Sequence, residues 1–319
     1  MSTGFNIHLI HKIQPDVIFI HSLSPATIPY IKASLHTHTP FVLALHGLFS
    51  QLDKNDFTTQ SERLILPFLL SAGMPLTLVS SGMRHMLLDW YGWKECKAIH
   101  VVPNALNTVT AHHTEKHIVS AIPWKKPHRI LSIGNLSIRK NQQQILRAFA
   151  LLPAEIRSQS QLCLIGKDAL NGQLQLEAEK LGIKESCTFT GVLPHEEVFR
   201  WIKEADIIVL ASTSEGFGLS IIEGYHYGVP AVCFDRIEAF EDLYHKKCMM
   251  PAYEYTDEAL ACAIQNALST SWDREFIRLF AEKFNNHTMA SAYLNVLMQA
   301  QPTHLSEKKF DQLVDTYLK

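Results

Sequence analysis

Membrane-length apolar runs, ligand-spaced cysteines, repeats and a surplus of charge are all missing from this chain of 319 residues. Each absence removes a class of protein. No apolar run approaches the roughly 20 residues of a membrane-spanning helix, and the opening residues lack the charged, apolar and small-residue succession of a signal peptide. The six cysteines, Cys96, Cys163, Cys187, Cys233, Cys248 and Cys262, show no CxxC or Cys/His ligand spacing and fall mostly in apolar runs. They read as reduced core residues of a cytoplasmic protein. The 17 histidines likewise have no metal spacing. A net charge of -2 argues against a broad electrostatic grip on nucleic acid. Without a repeat of 20 to 50 residues, a solenoid is excluded.

What remains is the composition of a soluble globular protein, 47% hydrophobic and 19% charged, with length for two domains. Helical spacing of Ile7, Ile10 and Ile13 leads through Gln14-Pro15-Asp16 to an apolar strand, Val17 to Ile20. A helix from Pro25 to Leu35 precedes the strand Phe41 to Leu45, which stops at His46-Gly47. Further strands are expected at Leu76 to Val79 and Ile99 to Val102, around a helix from Gly82 to Tyr91. The polar segment Thr108 to Lys126 reads as a linker. A second series of strands follows at Ile130 to Ile133, Leu162 to Ile165, Cys187 to Thr190, Ile207 to Ala211 and Ala231 to Phe234, with amphipathic helices between. Continuous apolar strands alternating with such helices indicate parallel sheets covered on both faces, hence two doubly wound α/β domains. The expected divisions are 1–115, 116–272 and a helical segment 273–319 that packs back toward the first domain. Two such domains in succession would put the carboxyl ends of their strands at a shared cleft.

One stretch stands out, Ser212 to Cys233, STSEGFGLSIIEGYHYGVPAVC. A loop carrying Glu215 leads into a helix from about Gly218 that carries Glu223, eight residues on. A carboxylate ahead of a helix whose free N–H groups attract anions suits a negatively charged, hydroxyl-rich ligand such as a nucleotide sugar.

With SIGNLSIRKNQQQILRAFALL, LCLIGKD and the run CTFTGVLPHEEVFRWIKEADIIVLASTSEGFGLSIIEGYHYGVPAV, and upstream PDVIFIHS, FVLALHG, LTLVSSGM and VVPNAL, the chain resembles the retaining nucleotide-sugar glycosyltransferases of the GT-B fold, the glycosyl transferases group 1 family. These segments cover most of Pro15 to Pro230 in family order. The resemblance implies two Rossmann-like domains, no metal and no cofactor, and a donor substrate of the UDP- or GDP-sugar type. The absence of a DxD triplet agrees. It implies that Glu215 and Glu223 are the E-x7-E pair, one at the donor sugar and one at the ribose, and that Lys140 holds the diphosphate. Gly216, Phe217, Gly218 and Leu219 would form the loop whose amides approach sugar and phosphates. Gly134, Gly166 and Gly191, which sit at the carboxyl ends of expected strands, would line the same donor site together with Asn135 and Arg139. His46 would contact the transferring sugar, although a strand-end histidine bonded to backbone is an equal reading. His21, His36 and His38 read as structural, and Tyr225 and Tyr227 as packing residues.

The chain also departs from the family pattern. Family members begin with a strand, a Gly-rich loop and further strands before the helix at Asn6, so the expectation is an N-terminal domain lacking that unit. Val17 to Ile20 would then be an apolar edge needing a cover, a second copy or a partner chain. Asn135 stands where the family has Arg, with Arg139 nearby to compensate. The expected function is sugar transfer to a glycan or lipid acceptor, as in polysaccharide biosynthesis. The location is cytoplasmic, with peripheral contact at the inner face of a membrane left open, and no nucleic acid is involved. The alternative is a non-catalytic relative or accessory subunit that binds the nucleotide sugar only.

Overall fold

The computed structural model describes residues 3–48, 57–106 and 124–317. The chain forms two compact units, one of residues 1–104 with 287–319 and one of residues 105–286. The divisions therefore fall at 104/105 and 286/287, whereas the sequence pattern suggested 115/116 and 272/273. Most of the expected linker, through residue 123, lies outside the described residues.

The first unit contains four parallel strands, β1 (Ile18–His21), β2 (Phe41–Leu45), β3 (Leu76–Leu78) and β4 (Ile99–Val101), in that spatial order. Strand β2 is buried along its whole length, as a continuous apolar run in a parallel sheet requires. The helices Thr3–Ile13, Ile28–His36 and Ser81–Tyr91 lie close to the expected spans. The helical stretch over residues 57–71, with a π-helical turn at Ser61–Ile65, is a feature that periodicity does not announce. Strand β1 pairs with β2 and, among the described residues, with no other strand. Its side chains are nonetheless covered more than the sequence suggested. Ile20 is buried, and Val17 and Phe19 pack with Val42 against Val296 and Ala300. Those last contacts come from the helix Asn286–Gln299 and its end, which joins this unit after the second crossing.

The second unit holds a six-stranded parallel sheet: β5 (His128–Ile133), β6 (Ser160–Ile165), β7 (Cys187–Gly191), β8 (Ile207–Leu210), β9 (Ala231–Phe234) and β10 (Met249–Ala252), in spatial order β10-β9-β8-β5-β6-β7. The chain therefore winds outward one way from β5 through β7 and the other way from β8 through β10. Successive residues of a strand point to opposite faces. Accordingly Ile130, Leu162, Leu164 and Val209 join a core with the helices Gln142–Leu151 and Asp257–Ser269. Leu131, Cys163, Ile165 and Ile208 join another with the helix His195–Glu204. All six cysteines are free thiols, but Cys262 is exposed and is not a core residue. Helical pattern over Asp273 to Leu297 resolves into two helices, Arg274–Ala281 and Asn286–Gln299. Between them the chain leaves the second unit, where Leu106 N–H bonds the Phe284 carbonyl at 3.1 Å and ties the two crossings together.

Phe149 is fully buried at the centre of the first of these cores, whereas Leu151 on the same helix is half exposed. Phe149→Ala should cost about 3–5 kcal/mol in urea unfolding and Leu151→Ala less than about 0.5 kcal/mol. Equal losses would contradict the assigned face.

Candidate active site

Strands β5 and β8 are neighbours in the sheet but not in the sequence. Loops leaving the carboxyl ends of such a pair diverge to opposite faces of the sheet and open the crevice in which ligands of this architecture bind. The loop after β5 carries Lys140 and the loop after β8 carries Glu215. The two meet, with Lys140 Nζ 2.5 Å from Glu215 Oε2 and the side chains only 15% and 12% exposed. The Ser212 hydroxyl donates to the same oxygen at 3.2 Å, and the exposed Arg139 guanidinium lies 3.6 Å from it. Main-chain contact reinforces the meeting: Thr213 N–H donates to the Arg139 carbonyl at 2.9 Å.

Glycines make room for this arrangement. The Lys140 side chain passes over Gly134, where an added Cβ would come within 3.3 Å of Lys140 Cε. A Cβ on Gly166 would overlap the Gly134 carbonyl oxygen, and both residues have φ in the left-handed half, at +138° and +148°. Gly166 N–H in turn donates to the Gly191 carbonyl at 2.9 Å. The ends of β5, β6 and β7 are thus drawn together as bare backbone. Asn135 is exposed, and its carbonyl accepts from Gln142 Nε2 at 3.1 Å.

Beyond Glu215 the loop is anchored by a side chain. Phe217 is buried and meets Phe284 edge-on at 5.6 Å, so its ring holds the loop in place and faces no solvent. Gly218, with φ +87°, opens the helix Leu219–His226. Gly216 is partly covered, and Leu219 leaves its side chain exposed. Glu223 lies inside that helix, and burial pushes its carboxyl up to about 7, with the Lys140 charge pulling the other way. Lys140 therefore acts on both carboxylates of the pair. Tyr225 is fully buried, its hydroxyl donating to the Leu243 carbonyl at 3.2 Å.

His46 belongs to the first unit, at the end of β2. Its Nε2 lies 3.0 Å from His21 Nδ1, with the rings parallel at 5.3 Å. One ring must donate and the other accept. Burial, and then the neighbouring His21, hold the His46 pKa below the usual histidine value. His21 is thus the partner of His46, a role the sequence did not suggest. Three further residues at the second unit's site, Ser212, Ser214 and Glu238, escaped sequence reasoning. Glu238 follows β9 at the same edge of the sheet as Glu215, and that position was the one available signal.

A family model described as Glycosyl transferases group 1 matches residues 114–283, and one described as Glycosyltransferase Family 4 matches residues 5–110. An alpha-monoglucosyldiacylglycerol synthase of Streptococcus pneumoniae is 28% identical over 185 residues, covering 58% of this chain and 39% of the relative. An O-antigen chain mannosyltransferase B of Escherichia coli is 35% identical over 104 residues, covering 32% of this chain and 27% of the relative. The chain thus spans well under half the length of these curated relatives. A glycosyltransferase from Rickettsia africae matches in structure with a TM-score of 0.76 at 17% identity, over 93% of this chain and 80% of that one. HepE of Anabaena in complex with UDP matches with a TM-score of 0.75 at 17% identity, over 93% and 81%. At these identities the likeness shows the fold, the two Rossmann-like domains of GT-B.

The raised pKa of Glu223 has a defined sign. Because the folded state prefers the neutral carboxyl, that preference stabilises the fold fully below pH 4.5 and is lost as pH rises through about 7. Glu223→Gln, neutral throughout, should therefore unfold at higher urea than the native protein above neutrality, by up to about 3 kcal/mol, with the gap closing toward acid. A gap that does not change between acid and alkaline pH would rule out a Glu223 carboxyl raised by burial.

Proposed function

The chain belongs to the glycosyl transferases group 1 family, and from that premise we propose that it transfers a sugar from a nucleoside diphosphate donor to an acceptor with retention of anomeric configuration. The observation that carries this reading is the Lys140–Glu215 contact at the β5/β8 crevice. Lys140 is a cation that can follow charge onto a departing diphosphate, with Arg139 beside it and the N-terminal amides of the helix Leu219–His226 facing the same loop. Glu215 and the backbone of Gly216 to Gly218 would orient the sugar, while Glu223 would take the ribose hydroxyls. Gly134, Gly166 and Gly191 would let the donor approach bare backbone. His46 is assigned to the sugar by the family resemblance alone. With cationic side chains and amides meeting the diphosphate, the reaction would need no metal.

UDP is the ligand named with the Anabaena neighbour, so UDP-sugars are the first donors to try, with GDP-sugars second. The named products of the two relatives, a glycolipid and an O-antigen chain, support a lipid or glycan acceptor. No helix among the described residues is long and apolar enough to cross a membrane. A cytoplasmic protein meeting such an acceptor at a membrane surface is the location we propose. A second reading, binding of the nucleotide sugar without transfer, is favoured by Asn135, which offers no charge where the family has Arg.

Nucleotide release from UDP- and GDP-hexoses with lipid and glycan acceptors should fall about 10²- to 10³-fold in both Lys140→Ala and Glu215→Gln, and should persist in EDTA. Native rates in both variants would refute the proposed reaction. Calorimetric binding of the same donors without any release would establish the second reading.

A further inference from the structure

Glu238 sits in the turn after β9 and is only 5% exposed. A buried carboxylate needs partners, and this one finds them on the neighbouring loop. Glu215 N–H donates to Glu238 Oε2 at 2.6 Å, and the Ser214 hydroxyl donates to Oε1 at 2.9 Å. From the other side, Arg139 donates to the Ser214 carbonyl oxygen at 2.8 Å. The Ser214 carbonyl and the Glu215 N–H are the two ends of one peptide group. That peptide is therefore gripped between a guanidinium at its oxygen and a carboxylate at its N–H. A flip of the peptide plane would turn the carbonyl oxygen toward the carboxylate and the N–H toward the guanidinium, so both charge-assisted contacts would become repulsive.

We propose that Glu238 is a positioning residue of the donor site: with Arg139 it clamps the Ser214–Glu215 peptide and thereby fixes the direction in which Glu215 reaches Lys140. The clamp is a matter of the second unit's own geometry. Its bearing on catalysis rests on the reading that Glu215 orients the donor sugar. The clamp also joins the end of β9 to the end of β8, so the Glu215 loop is held from both sides of its own strand. A glutamine at 238 can accept from Glu215 N–H through its oxygen and donate to the Ser214 hydroxyl through its amide.

Hydrogen exchange at the Glu215 amide tests the clamp directly. Glu238→Ala should speed that exchange by about tenfold or more, and Glu238→Gln should bring it back to within about threefold of the native rate. Should the alanine variant fail to fold, Glu238→Asp serves in its place. One methylene shorter, it cannot span both partners, and exchange should again rise. Native-like exchange in the folded alanine or aspartate variant overturns the clamp. In turnover with a UDP-sugar, Glu238→Ala should lower kcat about tenfold or more while the Kd for UDP moves less than about threefold, and Glu238→Gln should recover most of kcat. Faster exchange with native kcat overturns the positioning role. If the native chain turns over no nucleotide sugar, the proposed reaction fails, and the exchange result still decides the clamp.

Discussion

A lysine after the first strand of the six-stranded sheet and a glutamate after the fourth meet at 2.5 Å with most of both side chains out of water. Such a pair is costly to desolvate, and its attraction compensates only when geometry is good and the remaining polar atoms have partners. Much of the second unit's construction meets that requirement. Gly134 leaves the space through which the Lys140 stem passes, and Gly166 lets the next strand end lie directly against Gly134. Ser212 supplies Glu215 with another donor. Arg139 and Glu238 fix the peptide that precedes the Glu215 side chain. Further along the loop, Phe217 is pinned under Phe284, the residue where the chain is about to leave the unit.

How much of this was legible depended on whether the signal was local. Strands β2 and β9 run over the residues that their apolar runs predict, because a strand buried on both faces excludes polar residues along its whole length. Strand β10 was missed. It contains Pro251 and lies at a sheet edge, where a residue without an N–H is tolerated. The helical pattern beyond Asp273 gave one segment where there are two, since the break over residues 282–285 answers to the change of unit and not to local propensity.

At the site, Glu215 and Glu223 were singled out by their place before and inside a helix, Lys140 through a family resemblance, and the glycines by their place at strand ends. The encounter of Lys140 with Glu215 depends on which strands are adjacent, and no spacing along the chain expresses that. Phe217 was assigned by its place in a loop of approaching amides, while its ring proves to be an anchor in the core. Glu238 was invisible for a similar reason. A single glutamate in a loop resembles a solvated surface charge, and only the pairing of β8 with β9 places it against the Glu215 amide.

Contacts put Glu215 and Glu238 beside Lys140 and Arg139, and Glu223 lies within reach of the Lys140 charge, which makes three carboxylates to two cations. For a site proposed to take a diphosphate, that balance looks adverse if every group is ionised. Burial, which raises the Glu223 carboxyl to about 7, disfavours its ionised form and so lessens that imbalance. Lys140 is the group that opposes this, because its charge favours ionised Glu223. A diphosphate drawing Lys140 toward itself would weaken that opposing influence and add a negative charge of its own. Both changes raise the Glu223 pKa further and favour the neutral carboxyl, which can donate as well as accept a hydrogen bond at a ribose hydroxyl. On the proposed reading, the charge of Lys140 is thus what couples the protonation of the second glutamate of the pair to the arrival of the anion.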